Sequence, residues 1–226
     1  MGLRTAARKV ATPVRHAYRQ WMLRRNLAVL QHQLENDSVP SPVLLGRLRH
    51  FWSNDGWSAG TEFLEGMLRW LPKTRGTVLE CGSGLSTLLL AAATAGRARQ
   101  VVSLEHDCEW AERVRAALPV ANGLKVEVSL SPIKSYGDFD WYTLTSLQRL
   151  SEVGFVVCDG PPGATRGGRY GLGPVMKQVF APGCLVMLDD VARPEERSII
   201  ARWRIELSAD LVEETERYCV MRIGAD

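Results

Sequence analysis

The 226-residue chain is poor in the features that would direct it to a membrane interior, a zinc site or a disulfide framework. No apolar run reaches the roughly 18 residues a bilayer-crossing helix needs; the longest lies around Thr87 to Ala95. No apolar core follows the first arginines, so no signal peptide is evident. The 5 cysteines contain no Cys-x-x-Cys pair, and His16, His32, His50 and His106 show no ligand spacing with them, which argues against zinc. Cys81, Cys158 and Cys184 fall in or beside apolar segments and read as small core residues of a reducing, cytoplasmic compartment. The net charge of +3, from 28 basic and 25 acidic residues, is too mild to imply a nucleic-acid partner. Acidic residues are missing altogether before Glu35, and the basic excess gathers there.

In that N-terminal stretch Arg4, Arg8, Lys9, Arg15, Arg19, Arg24 and Arg25 interleave with Val10, Val14, Tyr18, Trp21, Met22, Leu23, Leu27 and Leu30 in a helical pattern. Several uses stay open: an amphipathic helix on anionic lipid or polyphosphate, an organellar transit peptide, or an arm that packs on the domain or on a second subunit. Peripheral membrane contact and a homodimer through this helix are therefore both carried forward. Residues 36–42 read as a linker, which divides the chain into an arm and linker over 1–42 and a domain over 43–226. Short helices are expected around Leu44, Leu45, Leu48 and Phe51, and around Phe63, Leu64, Met67, Leu68 and Leu71, the second capped by Ser58 or Thr61. The turn Asn54 to Ser58 separates them.

The domain is organised around Val78-Leu79-Glu80-Cys81-Gly82-Ser83-Gly84-Leu85-Ser86-Thr87. This reads as a buried strand, a glycine turn and the start of a helix, whose free N–H groups face a polar ligand. The spacing lacks the third glycine or alanine of a dinucleotide fingerprint, and Glu80 sits badly with a pyrophosphate. A carboxylate there suits a ligand carrying an ammonium or a sulfonium. Gln100 to Asp107 is a second buried strand, and Glu105 lies about twenty residues past the turn, where an acid can take two hydrogen bonds from ribose hydroxyls.

Glu80-Cys81-Gly82-Ser83-Gly84 resembles the first motif of the class I S-adenosylmethionine-dependent methyltransferases, and the resemblance extends over roughly residues 56–223. It implies a single Rossmann-like α/β domain, a seven-stranded, mostly parallel sheet with helices on both faces, here preceded by the helical arm. It also implies S-adenosylmethionine as cofactor, held by Glu80, Gly82, Ser83, Gly84, Ser86, Glu105, His106, Ser131 and Asp159. In this family the segment before the first strand often closes over the cofactor, so Trp57 and Ser58 are lid candidates; core packing of Trp57 is the alternative.

Two further strands end in acids: Phe155 to Asp159, and Gly183 to Asp190 about thirty residues later. Adjacent strands would bring Asp159, Asp189 and Asp190 together, and three such carboxylates repel unless a cation or proton separates them. A hard divalent cation, magnesium foremost, fits an all-oxygen set. The pattern is similar to the catechol and caffeoyl-CoA type O-methyltransferases, which implies these three acids as metal ligands and Asp159 and Asp189 as catalytic. One departure is Pro162, which stands where the catechol enzymes carry a lysine base. Asp159-Gly160-Pro161-Pro162-Gly163, Gly168-Arg169-Tyr170 and Asp189-Asp190-Val191-Ala192-Arg193 more loosely resemble glucuronoxylan methyltransferases. That implies a small-molecule or glycan acceptor touched by Arg169, Tyr170 and Arg193, with Arg193 counted also as catalytic. The alternative for Arg193 is internal pairing with Asp190, Glu195 or Glu196. The Gly163 to Gly173 loop is a candidate acceptor lid, and the aromatic segment Lys134 to Tyr142 either lines the acceptor pocket or forms a surface loop. The expected activity is O-methyl transfer, metal-assisted or not. Its rivals are a metal-free N-methyltransferase, a nicotinamide-dependent oxidoreductase and a non-catalytic binding protein of the same fold.

Overall fold

The computed structural model describes residues 3–54, 59–119, 123–143 and 150–224, with side chains from residue 14 onward. Strands β1 (Thr77–Cys81), β2 (Val101–Glu105) and β3 (Val126–Leu130) are followed by a small hairpin of β4 (Ile133–Ser135) and β5 (Asp140–Tyr142). Then come β6 (Val153–Cys158), β7 (Phe180–Asp189), β8 (Asp210–Glu214) and β9 (Tyr218–Arg222). Seven of these form one sheet in the order β3-β2-β1-β6-β7-β9-β8. All pairs are parallel except those of β9, which runs against both β7 and β8. The sheet is the expected one. The hairpin of β4 and β5 was not expected; the aromatic segment read as irregular folds back on itself, with Ile133 opposite Tyr142.

The strands are short, and their apolar residues alternate between two cores, as a sheet covered on both faces requires. Val78, Val101, Phe155, Val157 and Met187 face one layer of helices. Leu79, Cys81, Val102, Leu104, Val156, Cys158 and Leu188 face the other, where Trp141, Met176 and Trp203 are fully buried. The first layer holds α2 (Pro42–Trp52), α3 (Thr61–Trp70), α4 (Leu85–Thr94) and α5 (Cys108–Ala117). The second holds α6 (Leu172–Met176) and α7 (Pro194–Glu206). Helix α3 begins at Thr61 behind Gly60, so the expected cap by Thr61 does not form; the Thr61 hydroxyl instead accepts a hydrogen bond from Arg49 at 3.2 Å. The lid candidates Trp57 and Ser58, and most of the turn that contains them, lie outside the described residues.

Helix α1 (Leu3–Glu35) packs on α2 and α4, and Leu23, Leu27 and Leu30 are buried in the first core. Its C-terminal half is thus part of the domain's packing. We expect Leu27→Ala to cost about 2–5 kcal/mol, the range for truncating a buried leucine, read by urea denaturation. A loss near zero would mean that α1 is dispensable to the core.

Candidate functional site

In register, Cys81 of β1 is level with Leu104 of β2 and with Cys158 of β6, and Cys158 is level with Leu188 of β7. The strands therefore release Gly82, Glu105, Asp159 and Asp189 along one edge. The chain order reverses between β1 and β6, and open α/β sheets place their ligands outside the strand ends at such a point. A cavity of about 300 Å³ opens there, lined by the glycine turn, Glu105, His106, Asp107, Trp110, Asn54, Tyr142, Asp159, Gly160 and Pro162.

The turns after β1 and β6 meet glycine to glycine. Gly82 has φ 89, and a Cβ on it would fall 3.0 Å from the Gly160 nitrogen. Gly84 differs from the expectation of a tight turn: its backbone is extended, and a Cβ would meet nothing within 4 Å. Glycine at position 84 leaves open space instead of relieving a clash.

Glu105 is the best-organised acid of the cavity. Its Oε2 accepts from the Ser83 N–H at 3.1 Å and the Ser83 hydroxyl at 2.7 Å. Its Oε1 accepts from the N–H groups of His106 at 2.7 Å and Asp107 at 2.9 Å, with His106 Nδ1 at 3.0 Å. Burial opposes the charge, but these donors outweigh it and hold the carboxyl below its usual range; the same contact raises the pKa of His106. Trp110 closes the ring by donating from Nε1 to the Ser83 carbonyl at 2.8 Å, and Asp107 caps α5 through the Trp110 N–H.

Glu80 corrects the sequence reading. It is fully buried, lies beneath the glycine turn and does not line the cavity. It accepts from Thr87 Oγ1 at 2.6 Å, and that oxygen in turn accepts from the Gly84 N–H at 2.8 Å. Its chemistry is to hold the turn. Burial raises its pKa to about 7, tempered by the hydroxyls of Ser103, Ser86 and Thr87. Ser86, expected at the cofactor, is accordingly buried beside Glu80. Ser131 is buried as well, with its hydroxyl 3.5 Å from that of Ser129, and it does not line the cavity.

Asp159, Asp189 and Asp190 do converge, with one carboxylate oxygen of each within 4.8 Å of the others. The cations between them are guanidinium groups. Arg169, 2% exposed, donates from Nη2 to Asp159 Oδ1 at 3.1 Å and to Asp190 Oδ2 at 2.9 Å. It also reaches the carbonyls of Asp159 and Asp189, each at 2.6 Å, and lies 3.5 Å from Glu196. Arg217 contacts both oxygens of Asp189 at 2.7 Å and Asp190 at 3.1 Å, and Arg193 contacts Asp190 at 2.9 Å. A divalent ion would have to displace these partners, so this donor set does not fit a metal. Both terminal nitrogens of Arg169 are committed inside the protein, and its side chain is buried away from an acceptor. Tyr170 also leaves the site: its hydroxyl donates to Glu206 at 2.8 Å and its ring lies 3.5 Å under Arg202. Arg193 pairs with Asp190, the internal alternative, while its side chain stays 49% exposed. Burial, then the neighbouring Asp189, pushes the Asp159 carboxyl well above its ordinary range against the pull of Arg169.

Arg217 was not among the expected site residues, and Tyr142 was expected only as the end of a segment that either lines the acceptor pocket or forms a surface loop. Arg217 belongs to the turn between β8 and β9 and reaches the acids only because Tyr218 is in register with Asp189; no local pattern announces it. Tyr142 ends β5 and is fully buried; it lines the cavity, and its buried hydroxyl finds no partner among the described residues. Burial holds that phenol well above its usual pKa, so it stays a neutral donor.

No family model and no curated protein matches the sequence. Among solved structures, the chain is similar to the O-methyltransferase from Bacillus cereus in complex with S-adenosylhomocysteine, at 18% identity over 87% of this chain and 97% of that one, TM-score 0.54. It is similar to the S-adenosylhomocysteine-bound methyltransferase of Podospora anserina, at 15% identity over 100% and 97%, TM-score 0.54. It is also similar to a T. thermophilus 16S ribosomal RNA N2 methyltransferase in complex with S-adenosylmethionine and guanosine, at 18% identity over 76% and 45%, TM-score 0.50. The fold is that of the class I methyltransferases.

The buried Glu80 gives a pH signature. Its folded pKa of about 7 exceeds the unfolded value near 4.5, so the folded state binds the extra proton between these values and stability falls as pH rises through that window. Glu80→Gln removes this slope. Urea denaturation at about pH 5.5 and about pH 8 should give a variant that gains on wild type at the higher pH. An unchanged slope would mean that Glu80 is charged throughout.

Proposed function

We propose that this chain transfers the methyl group of S-adenosylmethionine to an oxygen of a small-molecule or sugar acceptor, without a metal. The observation that carries this reading is Glu105, a carboxylate with both oxygens organised at the mouth of the glycine turn, inside a cavity at the reversal point of the sheet. A ribose diol is the ligand such an acid takes at the end of a second strand, and Ser83 keeps the carboxylate oriented until the diol arrives. The fold supports the choice of S-adenosylmethionine over a nicotinamide cofactor, as does the absent third glycine.

S-adenosylmethionine supplies an electrophilic methyl group on a sulfonium. The protein's part is to hold the acceptor oxygen in line with it, because displacement depends chiefly on positioning. Asp159 lines the cavity, and its carboxylate, with Oδ1 3.1 Å from Arg169, is the acid placed to take the acceptor's proton. Tyr142, opposite Gly160, is a donor free to orient cofactor or acceptor. Arg169 and Arg217 neutralise the other acids and fix their carboxylates, work that a metal does in the catechol type.

The test is transfer of labelled methyl groups to a panel of sugars, phenols and amines, with and without excess EDTA. Label should enter a hydroxyl acceptor at the same rate under both conditions. Asp159→Asn should lower kcat by about 10²–10⁴, the usual range for a general base. Loss of transfer in EDTA restored by magnesium would overturn the metal-free reading, and label confined to amines would overturn the choice of oxygen.

A further inference from the structure

Helix α1 carries two apolar stripes: the core takes one, and the other stays largely exposed, with Tyr18 at its edge 6.3 Å from the Phe51 ring. Leu23, Leu27 and Leu30 face the core. On the opposite side, at about 100° of rotation per residue, Val14, Tyr18, Trp21 and Val29 fall within an arc of roughly 80°. Their exposures are 63%, 55%, 54% and 43%, high for side chains of this size. Arg25 lies in the same arc, its guanidinium 5.5 Å from the centre of the Trp21 ring. Arg15 borders the arc on one side and Arg24 on the other, both exposed. No acid precedes Glu35, and the sequence adds Arg4, Arg8 and Lys9 further back.

We propose that this face of α1 docks on an anionic lipid bilayer, lying in its surface. The occupant follows from the chemistry of the stripe. Tyrosine and tryptophan favour the water–lipid boundary, where an apolar ring and a polar edge are both satisfied. Arginines beside them lay their stems along apolar surface and send their heads to phosphate. A second copy of the chain would instead set arginine against arginine across the interface, with no acid on α1 before Glu35 to relieve it. No described helix is long and apolar enough to cross a membrane, so the contact is a surface one. On the domain side, Arg19 donates to the Ser53 hydroxyl at 2.5 Å, which ties α1 to the end of α2.

Sedimentation of the full chain with vesicles tests this directly. The chain should pellet with vesicles of mixed phosphatidylglycerol and phosphatidylcholine, remain in solution with pure phosphatidylcholine, and be released by raised salt as surface charges are screened. Arg15→Gln and Arg24→Gln should each weaken binding roughly fivefold, the contribution of one basic residue near such a surface. Trp21→Ala combined with Val14→Ala should weaken it further, with an unchanged circular dichroism spectrum reporting an intact fold. No pelleting with the anionic vesicles, or pelleting that ignores all four substitutions, overturns the proposal. So does a dimer by light scattering that Trp21→Ala dissociates, since the stripe would then be a contact between copies.

Discussion

Three carboxylates delivered to one sheet edge by neighbouring strands cannot all stay charged without partners, and here the partners are arginines, Arg169 at their centre. Its guanidinium is buried at the point where the turns after β6 and β7 come together, and it binds two side chains and two backbone carbonyls at once. A buried charge of this kind is tolerable only when paired and hydrogen-bonded. Asp190, in the left-handed region at φ 61, is held by three arginines: Arg169, Arg193 and Arg217. The edge is thereby rigid before any ligand arrives. Asp159 stands at the cavity side of this network, its carboxyl raised by burial and by Asp189.

The two glutamates of the cofactor half divide their work by environment. Glu105 is surrounded by donors and stays ionised, facing the cavity. Glu80, two residues before the glycine turn, is sealed under it and titrates near neutrality. One lines the cavity; the other keeps the turn in shape through Thr87. Trp110 and Arg113 extend this order outward. The Arg113 guanidinium lies 4.9 Å and 4.7 Å from the ring centres of Trp52 and Trp110, and so ties α2 to the residue that holds Ser83.

The sheet and its acids were legible because each apolar strand ends at a change of composition: Gly82 after Cys81, Glu105 after Leu104, Asp159 after Cys158. Parallel strands with their ends level turn that one-dimensional punctuation into one edge. What the punctuation lacks is direction. It cannot tell that the Glu80 side chain points beneath the turn, or that Tyr170, beside the buried Arg169, points to the surface. Nor could the stretch from Lys134 to Tyr142 be read as a hairpin, since its two strands have three residues each and no alternation to betray them. Arg217 depended on a long-range register with no local trace. The arginines that pair with these acids were visible as residues but not as partners, so the acids alone suggested a metal.

The geometry around Glu105 predicts a cavity that takes the S-adenosyl group. Calorimetric titration with S-adenosylhomocysteine, in magnesium and again in EDTA, on the wild-type chain and on Glu105→Ala, tests it most directly. The expected result is binding in the micromolar range that is indifferent to the metal and lost in the variant. No binding under either condition, or binding that survives Glu105→Ala undiminished, would contradict it.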